Sequence, residues 1–173
     1  MMTKVIFIAL GSNLSSDVLG SPKDICEAAL RALEDRGISV TSRSRWFRTA
    51  PVPVSDQPWF VNGVVAVGTD LPPADLLSIL HEIEAEFGRT RKIRNEARLL
   101  DLDLIAYGDL VTDGRNADDG TGPILPHPRM RERAFVLLPL ADIAPNWRHP
   151  QTGEAIADLI DGLPADQRAE PRP

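Results

Sequence analysis

Residues 98–105 read Arg-Leu-Leu-Asp-Leu-Asp-Leu-Ile, and this stretch decides the predicted fold. Side chains alternate between the two faces of a strand, so Asp101 and Asp103 share one face and the flanking leucines share the other. At roughly 3.3 Å per residue, the two carboxylates lie about 7 Å apart. The pattern predicts a strand with one apolar face for packing and one acidic face.

Two carboxylates at this distance repel each other, and a cation beside them relieves the repulsion. A basic cluster comes directly before them in the chain and consists of Arg89, Arg91, Lys92, Arg94 and Arg98. A divalent metal on two Asp residues beside such a cluster suits a polyphosphate substrate. For Asp-x-Asp alone, a solvated strand face with ordinary ion pairs is the alternative. The basic cluster favours the metal site.

Composition limits the class of protein. The 173 residues fit one domain over 1–163, and a tail over 164–173 has little to bury and is predicted to be disordered. The net charge of −6 argues against a nucleic-acid partner. The single cysteine, Cys26, excludes an internal disulfide and is expected to pack as a small hydrophobe. No signal-peptide pattern or membrane-length apolar run is present, so we expect a cytoplasmic protein without membrane contact.

The predicted elements follow the order β-α-β-β-α-β. Strands are predicted over 4–10, 39–48, 60–69 and 99–107, with helices starting at Pro22 and after Leu71 and ending at Gly37 and Gly88. This order is typical of the ferredoxin-like, or split βαβ, unit. It predicts an α+β fold, with helices on one face of an antiparallel-rich sheet and a functional face with mobile loops. Helical stretches around 130–140 and 155–160 follow.

Several segments, in the same order along the chain, match one family. They are Ala9–Leu14, Phe47–Pro51, Asp56–Asn62, Phe87–Arg91, Arg98–Ile105 and Leu125–Phe135. With them the chain resembles the 6-hydroxymethyl-7,8-dihydropterin pyrophosphokinases of folate biosynthesis, from the first strand to about residue 150. The common glycine-rich nucleotide loops are absent from the sequence, so side chains and metal would have to hold the phosphates.

The resemblance implies Mg²⁺-dependent transfer of the β,γ-pyrophosphoryl group of ATP to the hydroxymethyl oxygen of 6-hydroxymethyl-7,8-dihydropterin, leaving AMP. It implies that Asp101 and Asp103 hold two Mg²⁺ ions and act in catalysis with Arg89 and Arg98. The implied ATP-binding residues are Glu84, Arg89, Arg91, Lys92, Arg98, Leu104, His127 and Arg133. Arginine suits this role because its planar fork pairs with two phosphate oxygens. Members are often monomers, and a monomer is expected here.

The implied pterin-binding residues are Gly11, Thr49, Pro51, Val52, Phe60, Asn62 and Phe135. A flat polar heterocycle needs aromatic faces and an amide at its edge. Phe60 and Asn62 are two residues apart on a strand and hence share a face. Without the resemblance, both phenylalanines would be assigned to the core.

Three features depart from the family pattern. Family members often carry an aromatic residue before the arginine of the acidic strand, where this chain has Asn95-Glu96-Ala97. His81 stands where the family often has glutamine, and the polar insertion over 112–122 has no assigned role. Two other functions compete with the first. One is another two-metal phosphoryl transferase or nuclease, and the other is a non-catalytic ferredoxin-like binding module, for example for single-stranded RNA.

Overall fold

The structure, a computed structural model, describes residues 4–51, 53, 55–88, 99–114 and 122–172. Its elements are β1 (Ile6–Ser12), α1 (Pro22–Asp35), β2 (Ser39–Arg43), β3 (Phe47–Thr49), β4 (Phe60–Gly68), α2 (Pro73–Phe87), β5 (Asp101–Tyr107), β6 (Thr112–Asp113), β7 (Ile124–Leu125), α3 (Ala134–Ile143), α4 (Ile156–Asp161) and β8 (Ala169–Pro171). A short 3₁₀ turn, Met130–Glu132, precedes α3.

Helix α1 begins where the sequence predicts. The Ser21 hydroxyl accepts from the Asp24 N–H at 3.2 Å, and the Asp24 carboxylate accepts from the Ser21 N–H at 3.1 Å. This reciprocal cap satisfies two backbone donors, and Pro22 fills the first turn, where no N–H is needed.

The main sheet has the strand order β5-β1-β4-β3-β8, and β2 pairs with another part of β4. Each of these pairings is antiparallel. The order places β1 and β4 at the centre and β5 at an edge. The α+β, ferredoxin-like prediction is confirmed.

Helices lie on both faces of the sheet. On the first face, α1 and α2 pack against residues such as Leu10, Leu102 and Leu104. On the second face, α3 and α4 pack against Phe7 and Val64. The predicted single layer of helices is therefore right for α1 and α2 and incomplete for α3 and α4. The second face carries the acids, which lie close to the start of α3.

The strand predicted over 39–48 is divided into β2 and β3. Between them, Ser44 pairs with β4 through its side chain as well as its backbone. Its N–H donates to the Val64 carbonyl at 2.9 Å, and its hydroxyl accepts from the Val64 N–H at 3.0 Å. The side-chain bond replaces a regular ladder bond, and this interrupts the strand.

The tail differs most from the prediction. The sequence predicts a disordered tail over 164–173, whereas the structure has Ala169–Pro171 as β8, paired with Phe47–Thr49. Backbone pairing with β3 holds this segment without a large apolar side chain. Cys26 is buried as predicted, and burial raises the pKa of its thiol to about 12. No helix in the described part of the chain could cross a membrane.

Candidate functional site

A cleft of about 700 Å³ opens on the second face of the sheet. Its lining includes residues predicted to bind ATP and residues predicted to bind the pterin. They are Gly11, Phe60, Asn62, Glu84, Asp101, Asp103, Leu104, His127, Arg133 and Phe135. The cleft therefore unites residues from strands β1, β4 and β5, from helices α2 and α3, and from the turn before α3.

The acids lie on the floor of the cleft beside small residues. Asp101 pairs across to Gly11 of β1, and Asp103 pairs to Ala9. Both carboxylates are half-buried on the side of the sheet opposite the leucine layer. The alternation predicted from the sequence thus places both acids in one cleft, and the small residues next to them leave room for a ligand.

Asn62 lies on the other side of Gly11. Gly11 pairs with both Asp101 and Asn62, so a row of three residues crosses β5, β1 and β4. With strands about 4.8 Å apart, the outer two backbones are separated by about 10 Å. This separation matches the width of a bicyclic heterocycle better than that of a single ion.

The Asn62 side chain is 6% exposed and is held by two hydrogen bonds. Its Oδ1 accepts from the Thr49 hydroxyl at 2.5 Å, and its Nδ2 donates to the Leu10 carbonyl at 3.2 Å. An amide has two donors and two acceptor positions, so these bonds fix its orientation and use half of its capacity. The amide can still donate one bond and accept one bond on its cleft side.

Thr49 and Pro51 do not line the cleft. Both are buried, and Thr49 reaches the cleft only through its bond to Asn62. Ala50, between them, does line it. The pterin contacts predicted for Thr49 and Pro51 therefore stay predictions, and the described link is the hydrogen bond from Thr49 to Asn62.

The start of α3 forms a further wall of the cleft, next to Asp103. Arg133 Nη1 lies 3.8 Å from Asp103 Oδ2, and the Arg133 guanidinium carbon lies 5.3 Å from the centre of the Phe135 ring. Both side chains are partly exposed to the cleft. The wall therefore presents a cation and an aromatic edge or face beside the acids.

His127 is held as a neutral hydrogen-bond donor. Its Nδ1 accepts from the Arg129 N–H at 3.2 Å, which requires that Nδ1 carry no proton and that Nε2 carry one. Burial lowers the pKa of His127, and the nearby guanidinium groups of Arg133 and Arg129 lower it further, against the opposing charge of Asp103. An Nε2–H is thus available to donate to an anion.

Helix α2 and the edge of β5 form the far half of the cleft. Leu77, His81 and Glu84 follow at intervals of four and three residues, and all three line the cleft. The Glu84 carboxylate accepts from the Leu102 N–H at 2.9 Å, so it holds the edge of β5. Because β5 is an edge strand, the backbone near Leu104 has one side that no strand pairs with in the described sheet.

Some functional residues gave no signal in the sequence. Ile124 and Leu77 line the cleft but belong to no motif on which the prediction was based, and Arg129 lines it without having been assigned a role, although it lies within the segment Leu125–Phe135. Asn13 Nδ2 donates to the Gln57 side chain at 3.2 Å and to the Pro58 carbonyl at 3.1 Å, which holds the loop before Phe60. His81, left without a role, lies in the cleft wall.

Several predicted residues lie outside the described residues. They are Val52, Arg89, Arg91, Lys92 and Arg98, together with Asn95 and positions 115–121 of the insertion. Their predicted roles remain predictions.

The chemistry of the acids fits magnesium. The described residues contain no group of three or more His, Cys, Asp or Glu side chains that could enclose a metal ion. Magnesium prefers oxygen ligands and is often bound by one or two carboxylates, with substrate phosphates and water completing its coordination. Asp101 and Asp103, which line an open cleft, are such a pair.

Comparisons with known proteins show which family the chain belongs to. Residues 7–145 match the family described as 7,8-dihydro-6-hydroxymethylpterin-pyrophosphokinase. The chain is 40% identical over 167 residues to a 2-amino-4-hydroxy-6-hydroxymethyldihydropteridine pyrophosphokinase of Pseudomonas aeruginosa, covering 94% of each chain. It is 42% identical over 142 residues to the protein of the same name from Methylorubrum extorquens, covering 81% of this chain and 82% of that one.

A solved structure supports the fold. The wild-type HPPK-DHPS of Plasmodium falciparum, solved with pteroate, matches with a TM-score of 0.68 at 14% identity. The match covers 92% of this chain and 44% of that one, so this chain spans less than half of it. The chain belongs to the 7,8-dihydro-6-hydroxymethylpterin-pyrophosphokinase family and transfers pyrophosphate from ATP to the hydroxymethyl group of the dihydropterin in folate synthesis.

Proposed function

We propose that the transfer takes place over Asp101 and Asp103, with the pterin on the Asn62 side of the cleft and the nucleotide on the Leu104 side. The observation that carries this proposal is the row in which Asp101 and Asn62 pair with Gly11 from opposite sides. In this row the Asp101 carboxylate and the Asn62 amide lie on the same face of the sheet, and Gly11 between them has no side chain.

The Asn62 side of the cleft, called the pterin half below, would contact both the edge and the two faces of the pterin ring. Asn62 offers one donor and one acceptor to the heterocycle, and its other two positions are already held by Thr49 and Leu10. Phe60 and Phe135 enter the same half from β4 and α3, where they would cover the ring. These contacts would aim the hydroxymethyl group toward the acids.

The phosphates would lie between the acids and the turn before α3. His127, whose Nδ1 accepts from the Arg129 N–H, would donate to a phosphate from Nε2, and Arg133 offers a guanidinium already near Asp103. Bound Mg²⁺, held by Asp101 and Asp103, would neutralise the phosphate charge that otherwise repels an attacking oxygen. Arg133 can then release Asp103 and pair with phosphate oxygens.

The nucleoside would extend along α2 and the edge of β5. Leu77 and Ile124 supply apolar contact, and the edge backbone near Leu104 supplies hydrogen-bonding groups for a base. Glu84 keeps β5 in place by accepting from the Leu102 N–H. The basic residues over 89–98 remain candidate partners of the phosphates.

The products of the proposed reaction distinguish it from other phosphoryl transfers. The hydroxymethyl oxygen loses its proton to water and attacks the β-phosphorus, the bond from that phosphorus to the bridging oxygen of the α-phosphate breaks, and AMP leaves with that oxygen. Phosphorus-31 NMR of the protein with ATP, Mg²⁺ and the dihydropterin should show AMP and a pterin diphosphate in equal amounts, and neither with the metal chelated. Formation of ADP and a pterin monophosphate would instead support a different phosphoryl transferase.

A further inference from the structure

The C-terminal segment 164–172 contacts both walls of the pterin half of the cleft. One wall is the start of α3, which carries Arg133 and Phe135. The other wall is formed by the loop and strand that follow β3, and it carries Ala50 and Phe60. The proposed function assigns no task to this segment, although it is the part of the chain that joins these two walls from outside.

Gln167 makes the contact with the first wall. Its Oε1 accepts from the Ala134 N–H at 2.7 Å, and its Nε2 donates to the Glu132 carbonyl. The residue at the N-cap of α3, Arg133, gives the helix no side-chain cap. Gln167 therefore supplies a cap from a distant part of the chain, and its two bonds lie on either side of Arg133.

The residues after Gln167 make the contact with the second wall. The Ala50 N–H donates to the Arg168 carbonyl at 3.0 Å, and Ala169 pairs with Thr49. The Arg168 guanidinium carbon also lies 4.9 Å from the centre of the Trp59 ring, directly before Phe60 in the chain. Cation–π contacts of this kind add to the backbone pairing.

We propose that Gln167 is a positioning residue for the pterin pocket. It fixes the start of α3 to a segment that is itself paired to β3, and so it sets the spacing between Phe135 and Phe60. This inference rests on the proposed function, because it takes these two rings as the faces of the pterin pocket. Gln167 itself is not in the cleft wall.

Two substitutions separate the hydrogen bonds of Gln167. Gln167→Met keeps the length of the side chain and removes both bonds. Gln167→Glu keeps an acceptor for the Ala134 N–H and loses the donor to the Glu132 carbonyl. Asp166→Asn, at the exposed neighbouring position, is the control.

The readout is the dissociation constant of the dihydropterin, measured by calorimetry with Mg²⁺ and a non-hydrolysable ATP analogue present. We expect Gln167→Met to weaken pterin binding by about fivefold to tenfold and Gln167→Glu by less. Asp166→Asn should bind as the wild type does. The Michaelis constant for the pterin should rise in the same order.

Thermal unfolding of the same variants separates positioning from stability. A lower melting temperature with unchanged pterin affinity in both Gln167 variants, assayed well below melting, would overturn the proposal. If Gln167→Met does not fold, the pterin dissociation constant of Gln167→Glu, compared with that of the wild type, tests the proposal by itself. Absence of pterin binding by the wild-type protein would contradict the proposed function itself, which is a separate result.

Discussion

The side-chain amide of Asn62 lies over Gly11, in the space that a Cβ at position 11 would occupy. A Cβ built on Gly11 would be 2.5 Å from Asn62 Nδ2 and 3.9 Å from a carbon of the Phe60 ring. Backbone conformation does not require glycine here, because Gly11 is a strand residue without a positive φ. The close approach of Asn62 requires it, since that amide also needs its bond to the neighbouring Leu10 carbonyl.

Gly11→Ala should displace the Asn62 amide and weaken pterin binding by at least about tenfold, because this amide then no longer has the fixed orientation in which it would hydrogen-bond to the pterin. Gly68→Ala is the matched control: it lies in the same sheet, and its Cβ would meet nothing nearer than a Thr41 methyl carbon at 3.9 Å. Calorimetry with the dihydropterin measures both variants. Equal affinities for the two would mean that Asn62 can move without loss.

Asn62→Ala should weaken pterin binding by one or more decades and leave nucleotide affinity almost unchanged. Loss of the amide leaves polar atoms of the pterin edge unpaired, at a cost of about 1–3 kcal/mol per group. Separate titrations with the dihydropterin and with an ATP analogue plus Mg²⁺ measure the two effects. If the nucleotide loses affinity and the pterin does not, the two halves of the cleft have been assigned to the wrong ligands.

The sequence predicted several of the residues that meet in the cleft, but it did not predict the arrangement of the elements around them. Alternation in β5 placed Asp101 and Asp103 on one face, and the resemblance brought Asn62 and Phe135 to the same cleft. The same alternation fails farther along β5, because Ile8 pairs with Leu104 while Phe7 pairs with Ala106. The extra residue shifts the register, and periodicity alone does not reveal such a bulge.

Contacts between distant parts of the chain account for the other differences. Helix α3 is apolar over most of its length, so its sequence does not indicate which face of the sheet it covers. The residues of β8, Ala169–Pro171, have weak strand preferences and are ordered by pairing with β3. Cleft residues such as Leu77 and Ile124 carry no chemistry that a motif could reveal.

His149 should make the stability of the protein depend on pH. The side chain is 5% exposed, and its Nδ1 accepts from the N–H groups of Gln151 and Thr152 at 3.2 and 3.3 Å. Burial lowers the pKa of His149, Arg131 lowers it further, and Glu154 opposes the shift. The unfolded chain then binds more protons than the folded chain, so the free energy of unfolding rises with pH.

This contribution is complete above the unfolded pKa of about 6.5 and is lost as the pH falls from there toward the folded pKa. Urea unfolding at about pH 5 and about pH 7.5 measures it. His149→Asn places a non-titrating acceptor near the same backbone groups, so its free energy of unfolding should change less between the two pH values. An identical change in both proteins would show that His149 does not contribute.

Turnover of Asp101→Asn and Asp103→Asn at a fixed Mg²⁺ concentration tests most directly whether these two residues bind magnesium. Each variant should fold as well as the wild type, because it loses one of two repelling carboxylates, and each should lose at least about 10²–10³ in turnover. Asp109→Asn, an exposed acid beyond the end of β5, should retain full activity. Turnover close to wild type in both cleft variants would contradict the assignment of Asp101 and Asp103 as the magnesium-binding residues.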